Sequence, residues 1–335
     1  MASIKQLTEK NDNISAIISF IQRNEKATRM ELCKALSLSW ACVSDLVARL
    51  IEENILIETA QDTKTGATAT KGRTPTLLSL NEKKFFLGVD INDSGIAITT
   101  LSIGGKEIAS KKWAEEPFSC EEELMRSVCE KIEELMPNSE NCCGIGIAME
   151  GMRAADGGWL YPMKQGCISV CPEVFLAERF RLPIAVKHDP ECVLYSVARH
   201  KEDCIVVRVD KWIGVAAMKN GKILEMPLEL GWIRYGEQKL QDILRNCAKK
   251  GDHLEIAEAL GRSIGNLTLL LGINTCFLAG EVAAWLEGLT TVFNTTFRQA
   301  NKNATCEICA VSDASNGAAK LAMAKYTLGG QAKTQ

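Results

Sequence analysis

The sequence lacks a strong net charge, a long apolar run and a large number of histidines. A net charge of −3 and a pI near 5.8 exclude broad coating of nucleic acids or membrane surfaces. The N-terminal segment, Met1 to Lys10, contains no apolar stretch of the kind found in secretory signals, so we expect a cytoplasmic protein. The longest uncharged run, Ser263 to Gly280, breaks at Gly272, which favours a buried helix and a buried strand over a membrane span.

Cysteine, by contrast, is abundant, with fourteen copies. Most stand singly in apolar surroundings, which predicts buried reduced thiols in a chain without an export signal. Cys306 and Cys309 have metal-like spacing, but their segment alternates like a strand, and no histidine or second cysteine pair is near. We therefore predict no metal site and no cofactor, with a structural zinc ion as the alternative.

A helix-turn-helix pattern occupies residues 27–57. Thr28, followed three residues later by Glu31, is a capping box that starts one helix, and Ser39 is the N-cap of a second helix from Trp40 to Glu52. The second helix has an apolar stripe for docking and an opposite face that would enter the major groove of double-stranded DNA. This predicted reading face contains Ser39, Trp40, Ala41, Ser44, Asp45 and Ala48.

The charge of this unit is weak for a DNA-binding protein. Asp45 is acidic, and the reading face has none of the Arg, Lys, Asn or Gln side chains that usually read bases. Residues 1–75 contain ten basic and nine acidic residues, with Lys64, Lys71 and Arg73 close together as further candidates for DNA contact. The alternative interpretation is therefore a helical bundle that binds a protein.

The segment after the second helix is typical of a wing and a linker. Asn54 to Ile57 alternates like a short strand, whereas residues 63–71 are rich in Thr, Ala, Gly and Lys and have no periodicity. We expect Gly72 to Leu78 to join this unit to the rest of the chain.

The rest of the chain alternates strands and helices in two similar halves. Each half begins with apolar strands joined by hairpin turns, at residues 86–113 and 204–225, and continues with strands separated by helices, including one predicted helix from Val282 to Phe297. The pattern predicts an α/β protein with a ligand cleft between two lobes. The expected parts are a winged helix-turn-helix unit with its linker at 1–80, a first lobe at 81–200 with a final helix at 316–328, and a second lobe at 201–315.

Several short motifs occur along the chain in a characteristic order. They are Gly72-Arg73-Thr74-Pro75, Leu87-Gly88-Val89-Asp90, Gly144-Ile145-Gly146-Ile147, Asn220-Gly221-Lys222 and Asn316-Gly317-Ala318-Ala319. Together they resemble the ROK family of repressors, open reading frames and kinases over essentially the whole chain, and in particular its sugar-responsive repressors. The resemblance implies an actin-like, two-lobed sugar-kinase body, similar to ribonuclease H, that carries a winged helix.

Both phosphate-binding loops of the family's kinases are altered. The kinases that the chain resembles have an Asp-x-Gly-Gly-Thr turn, whose glycines let backbone N–H groups approach phosphate. The corresponding residues here, 90–94, are Asp-Ile-Asn-Asp-Ser. Their Gly-Thr-Gly loop corresponds to Asp210-Lys211-Trp212. Asp93 and Asp210 would repel phosphates, and Trp212 would prevent close approach to the backbone. We therefore expect negligible ATP binding and no kinase activity.

The sugar-contacting positions that the resemblance implies are partly kept. Asp189 matches the general base of the kinases, and in a non-kinase it would only accept a hydrogen bond. Residues 229–232 match Glu-x-Gly-His, whose His is also a zinc ligand in the family, so its replacement by Trp232 implies that the family zinc site is absent. Alternative roles are a helix cap for Asp189, a solvated acid for Glu229 and a core aromatic for Trp232. The predicted ligand-binding residues are Glu150, Gly151, His188, Asp189, Glu229 and Trp232.

These observations predict a DNA-binding, ROK-like transcription regulator whose cleft senses a carbohydrate or a sugar phosphate. We expect a homodimer or homotetramer in which ligand-dependent lobe closure changes the spacing of two DNA-reading units. Two alternatives remain. One is a residual ATP-dependent sugar kinase with Asp189 as its base, and the other is a protein-interaction scaffold that binds neither ligand nor DNA.

Overall fold

The computed structural model of the protein describes residues 4–60, 76–136, 138–198, 202–224, 229–309 and 313–326. Over these residues the chain forms an N-terminal helical unit with a small sheet, followed by two α/β lobes, each built on a five-stranded sheet. No helix in these ranges is long and apolar enough to cross a membrane. The element order confirms the predicted α/β fold class with two lobes, and the N-terminal part contains helices at the positions predicted for a helix-turn-helix.

The N-terminal part, here named the winged-helix unit, contains the two predicted helices. The Thr28 hydroxyl accepts a hydrogen bond from the Glu31 N–H at 3.2 Å, a Glu31 carboxylate oxygen accepts one from the Thr28 N–H at 2.7 Å, and Ser39 Oγ accepts one from the Cys42 N–H at 3.2 Å. These contacts satisfy N–H groups that a helix start leaves unpaired. The unit comprises α1 Ile4–Asn24, β1 Lys26–Ala27, α2 Arg29–Leu36, α3 Trp40–Glu52, β2 Leu56–Ala60 and β3 Thr76–Leu80.

Three features of this unit differ from the sequence-based predictions. Sequence reasoning misses α1 altogether. The strand predicted to begin at Asn54 begins at Leu56, because Asn54 has a left-handed backbone with φ of 57° and forms the turn after α3. The segment at Thr76–Leu80, predicted to be linker as far as Leu78, is the central strand of a sheet with the order β1-β3-β2.

The first lobe follows after only four residues. Its elements are β4 Phe85–Asn92, β5 Gly95–Ser102, β6 Glu107–Ala114, α4 Glu121–Leu135, β7 Cys142–Met149, β8 Met152–Arg153, β9 Trp159–Pro162, β10 Cys167–Val170, α5 Pro172–Phe180, β11 Ile184–His188 and α6 Asp189–Val197. The five long strands form a mixed sheet in the order β11-β7-β4-β5-β6. Every residue of β4, β5 and β7 is buried, which explains their nearly continuous apolar sequences.

The second lobe repeats this arrangement. Its elements are β12 Cys204–Val209, β13 Ile213–Lys219, β14 Lys222–Ile223, β15 Arg234–Tyr235, β16 Gln238–Lys239, α7 Leu240–Lys250, α8 Leu254–Leu271, β17 Thr275–Ala279, α9 Val282–Leu286, α10 Thr290–Ala300 and β18 Thr305–Ile308. The sheet order β14-β13-β12-β17-β18 matches that of the first lobe, so two similar lobes are present as predicted. The single helix predicted from Val282 to Phe297 is wrong, because a 3-10 turn at Glu287–Leu289 divides it.

The last helix, α11 Ser315–Lys325, returns to the first lobe and packs tightly there. A Cβ atom on Gly146 would lie 1.8 Å from the Ala318 carbonyl oxygen, and one on Gly317 would lie 1.8 Å from the Cys192 carbonyl oxygen. Neither position has room for a methyl group, so glycine lets the helix backbone touch β7 and α6 directly. These contacts fix α11 firmly in the lobe.

The winged-helix unit and the first lobe share one hydrophobic core. Val43 of α3 belongs to the same buried cluster as Phe86, Ile103 and Tyr326 of the lobe. Gln22 Nε2 donates a hydrogen bond to the Ile103 carbonyl oxygen at 2.6 Å, and the Tyr326 ring packs edge-on against Phe86 with centroids 5.7 Å apart. The unit is therefore packed directly onto the lobe, while the predicted flexible segment at 63–71 lies outside the described residues.

Candidate functional site

A cleft of about 280 Å³ lies between the two lobes. This volume is close to the lower end of the range for small-molecule sites, roughly 300–1,000 Å³, and suits a ligand of monosaccharide size. The structure brings together in this cleft all six residues predicted for ligand binding, whose contact with a ligand stays a prediction. They are Glu150, Gly151, His188, Asp189, Glu229 and Trp232.

Glu150 and Gly151 form the turn after β7. Gly151 has a φ of 107°, and a Cβ atom there would lie 2.1 Å from the Leu160 carbonyl oxygen, so this rim of the cleft requires glycine. A Glu150 carboxylate oxygen accepts a hydrogen bond from the Asp93 N–H at 2.5 Å. Burial, together with the charges of Asp93 and Asp189, raises the pKa of Glu150 to about 8. Near neutral pH its carboxyl group is therefore mostly protonated and can donate a hydrogen bond.

The side chain of Arg208, on β12, crosses from the second lobe to the first. Its Nη2 lies 3.1 Å from Asp90 Oδ2 and its Nη1 lies 3.0 Å from Asp189 Oδ2, while its Nε donates to Asp210 Oδ2 at 2.6 Å. The Arg208 and Asp90 side chains are only 5% and 0% exposed, so this ion-pair cluster is largely removed from water. One guanidinium group is thus shared by the aspartate of the first altered phosphate loop and the aspartate that matches the kinase base.

Asp189 is the first residue of α6 and not its cap. The N-cap residue is His188, whose N–H donates a hydrogen bond to Glu191 Oε2 at 3.1 Å. The alternative role of Asp189 as a helix cap is therefore wrong. Its second carboxylate oxygen lies 3.1 Å from His188 Nε2. Burial raises the pKa of Asp189, and the nearby charges of Arg208 and His188 partly oppose this effect.

The two altered phosphate loops are joined to each other across the cleft. The Lys211 ammonium group, from the second lobe, lies 2.5 Å from Asp93 Oδ2 in the first lobe. Asp210 accepts hydrogen bonds from Arg208 and from the Glu281 N–H. Asp93 and Asp210 each have a cationic partner, and their predicted repulsion of phosphates stays a prediction. The acidic side chains of both altered loops are therefore engaged in contacts within the protein.

Two tryptophans stand at the mouth of the cleft. Trp232 is 61% exposed and Trp212 is 40% exposed, so the alternative role of Trp232 as a core aromatic is wrong. The Lys239 ammonium group lies 4.0 Å from the Trp232 ring centre, and the Arg245 guanidinium lies 4.5 Å from that of Trp212. Glu229, just before Trp232, is also exposed.

Sequence reasoning misses two residues that organise the cleft. Gln241 Oε1 accepts a hydrogen bond from the Ile213 N–H at 3.1 Å, and its Nε2 donates to the Lys211 carbonyl oxygen at 2.7 Å, so it holds the second altered loop. No sequence signal distinguishes it from a surface polar residue of α7. Arg208 could have been found, because it is a single charge inside the apolar run at 204–209.

The predicted reading face of α3 is open to solvent. Val43 and Val47 are buried and dock the helix, whereas Trp40 is 55% exposed and Asp45 is also exposed. Ser39, Ala41 and Ala48 are exposed and Ser44 is half-buried, so the face stays a candidate DNA contact. The other predicted DNA contacts, Lys64, Lys71 and Arg73, lie outside the described residues.

The cysteines and acidic residues suggest no metal site in the described part of the chain. There, no group of three or more His, Cys, Asp or Glu side chains could hold a metal ion. All fourteen cysteines are free thiols, including Cys306 and Cys309.

Similar proteins include repressors of sugar metabolism, although no protein-family model matches the chain. The chain is 23% identical over 230 residues to the DNA-binding transcriptional dual regulator NagC of Escherichia coli K12 and 22% identical over 223 residues to the xylose repressor of Bacillus spizizenii. The matches cover 66% and 64% of this chain but only 54% and 57% of those proteins. The chain therefore spans about half the length of the curated relatives it matches.

Solved structures share the fold. A ROK family transcriptional regulator, described as a homologue of the Escherichia coli MLC protein, gives a TM-score of 0.74 at 16% identity and covers 95% of this chain and 96% of its own. An inorganic polyphosphate/ATP-glucomannokinase from Arthrobacter sp. strain KM gives a TM-score of 0.58 at 16% identity. The match covers 72% of this chain and 97% of the glucomannokinase. The resemblance to ROK repressors is thereby confirmed, and sugar kinases share the fold of the body.

Proposed function

We propose that this protein is a DNA-binding transcription regulator that senses a small sugar in its interlobe cleft. One observation carries the proposal. An exposed helix of the recognition type and a ligand-sized cleft belong to parts of the chain that share a continuous core. The similarity to NagC and to a xylose repressor supports both DNA and a sugar as partners.

An uncharged sugar suits the cleft better than a sugar phosphate. Asp189, Asp210 and Glu229 line the cleft, and the single guanidinium group of Arg208 is already shared by three carboxylates, which leaves a net negative charge there. A phosphate group there would face negative charge, and the described residues that line the cleft include no Lys or Arg other than Arg208. A sugar would instead find a hydrogen-bond donor in protonated Glu150 and an exposed aromatic face at the mouth.

The last helix offers a path from the cleft to the DNA-reading surface. Just before α11, the Ala314 N–H donates a hydrogen bond at 2.9 Å to Asp90 Oδ2, the oxygen that also binds Arg208. Just after α11, the Tyr326 hydroxyl donates at 2.9 Å to Glu53, the C-cap residue of α3. A lobe movement that displaces Arg208 would therefore act on one end of a firmly packed helix whose other end holds the recognition helix. In a symmetric dimer this would change the spacing of two reading surfaces.

Kinase activity is not part of the proposal. A kinase needs a carboxylate that is free to take a proton from the sugar hydroxyl, and here Asp189 is paired with Arg208. The Lys211 and Asp93 pair joins the two loops that match the phosphate-binding loops of the kinases.

Titration of fluorescent DNA fragments from upstream of the protein's own coding sequence tests DNA recognition, at two salt concentrations. We expect selective binding that weakens with salt. Ala41→Glu places a negative charge on the reading face and should weaken binding by at least about tenfold. The control Thr291→Glu, at an exposed site on α10, should leave it unchanged. Equal binding by both variants would exclude α3 as the reading element.

A further inference from the structure

A second cavity, of about 800 Å³, lies at the end of β13 that is remote from the cleft. We name it the lysine cavity after four of its lining residues. Lys187 and Lys325 come from the first lobe, and Lys219 and Lys222 come from the second. No acidic side chain lines the cavity among the residues that the structure describes. It is therefore an interlobe site with an excess of positive charge.

Two of the lysines are held in place by internal contacts. The Lys187 ammonium group lies 3.0 Å from Glu191 Oε1, and the Lys219 ammonium group donates a hydrogen bond to the Leu271 carbonyl oxygen at 2.5 Å. Lys222 and Lys325 are exposed and form no ion pair within the described ranges. Among the described residues, one carboxylate is paired with these four ammonium groups, and the Asp203 carboxylate accepts a hydrogen bond from the Asn220 N–H at 2.6 Å beside them.

The hairpin that contributes two of these lysines places like charges against each other. Lys219 and Lys222 are direct partners across the antiparallel pair of β13 and β14. Asn220 and Gly221 make the tight turn between them, with φ of 53° and 71°. Like charges directly opposite each other on neighbouring strands destabilise a sheet. An anion that contacts both ammonium groups would remove this repulsion.

We propose that the lysine cavity binds a small phosphate monoester, as a second ligand distinct from the sugar in the cleft. Lysine ammonium groups are point charges suited to a phosphate dianion, and the Asn220 amide and Tyr195 hydroxyl also line the cavity as hydrogen-bonding groups. The phosphate group would contact lysines of both lobes and so hold them together. Lys325 immediately precedes Tyr326, whose hydroxyl binds Glu53 at the end of α3. A phosphate bound in the lysine cavity would therefore lie close to the contact between the body and the recognition helix.

Calorimetric titration of the full chain with glucose 6-phosphate, inorganic phosphate and glucose, at constant ionic strength, tests this site. The double variant Lys222→Gln/Lys325→Gln removes two ammonium groups without touching the cleft. The matched control is Lys249→Gln/Lys250→Gln, at the exposed end of α7. We expect glucose 6-phosphate to bind the wild type and the control equally, and the cavity variant at least about tenfold more weakly. Binding of glucose should not change.

Equal affinity of the cavity variant and the control for glucose 6-phosphate would overturn the proposal. Thermal stabilisation of the wild type by chloride as large as that by glucose 6-phosphate would also overturn it. A uniform loss of DNA affinity in the cavity variant, without any binding of glucose 6-phosphate to the wild type, would assign the lysines to the DNA backbone and would also overturn it. Thermal melting without ligand verifies that both variants are folded. The result is independent of sugar sensing in the cleft, since glucose reports on that site separately.

Discussion

The Tyr326 hydroxyl donates a hydrogen bond to the Glu53 carboxylate at 2.9 Å. This contact joins the residue after the last helix of the body to the C-cap residue of α3, the proposed recognition helix. Burial raises the pKa of Tyr326, so the hydroxyl stays protonated and remains a donor in the physiological pH range.

Tyr326→Phe removes this hydrogen bond and keeps the edge-on packing against Phe86. The free energy of unfolding should fall by about 1 kcal/mol. Sugar affinity should be unchanged, whereas the change in DNA affinity on addition of sugar should shrink. Urea unfolding and DNA titration with and without sugar measure these effects, with Tyr235→Phe in the second lobe as the control. A full sugar response in Tyr326→Phe would show that the contact does not transmit the signal.

Arg208→Met leaves the carboxylates of Asp90 and Asp189 buried without their cation. Loss of one partner from a buried ion pair costs about 3–5 kcal/mol, so we expect a decrease of this size in the free energy of unfolding. Arg245→Met removes an exposed cation over a tryptophan ring and should cost about 1 kcal/mol or less. Urea denaturation compares the two variants. Equal losses would mean that the Arg208 cluster contributes little to stability.

Glu150 makes a predictable contribution to the pH dependence of stability. Its pKa is about 8 in the folded protein and near 4.5 in the unfolded chain. Between these pH values the folded state keeps a proton that the unfolded state loses, so stability falls as pH rises, by up to about 1.4 kcal/mol per pH unit. In Glu150→Gln this contribution is absent, so the variant should gain stability relative to wild type from about pH 5 to about pH 8.

Urea unfolding of wild type and Glu150→Gln at intervals across this pH range checks the effect. The difference between the two proteins isolates the Glu150 contribution from those of other titrating groups. A constant difference across the range would show that Glu150 is ionised in the folded protein and that its burial does not raise its pKa.

We expect the protein to have no sugar-dependent ATP hydrolysis, because Asp189 is paired with Arg208 and the altered phosphate loops are joined by the Lys211 and Asp93 pair. Wild type and Asp189→Asn should give the same background rate in a coupled assay with a sugar panel. Sugar-dependent turnover that Asp189→Asn abolishes would instead support the residual kinase.

Local signals explain the parts of the fold that the sequence predicts well. The capping box at Thr28, the N-cap at Ser39 and the apolar stripe of α3 act within one or two helical turns. The strand at Thr76–Leu80 is different, because its partners are Lys26–Ala27 and Leu56–Ala60, both distant along the chain. Its pairing depends on tertiary contact, and its short sequence has no turn signal of its own.

The candidate site was predictable in position but less so in chemistry. All six residues expected in the cleft line it, because the motifs mark the ends of strands and those ends meet between the lobes. The partners of Asp90, Asp93 and Asp189 lie far away in sequence. Only the folded chain shows that these carboxylates have cationic partners in the other lobe and so join the two lobes.

The most direct test of the account is the affinity of the full-length protein for its selected DNA fragment, measured at constant salt with and without each member of a panel of neutral sugars. We expect at least one sugar to change this affinity by about fivefold or more, and Trp232→Ala, at the mouth of the cleft, to reduce that change. Selective DNA binding that no sugar alters would contradict the claim that the cleft controls the DNA-reading helix.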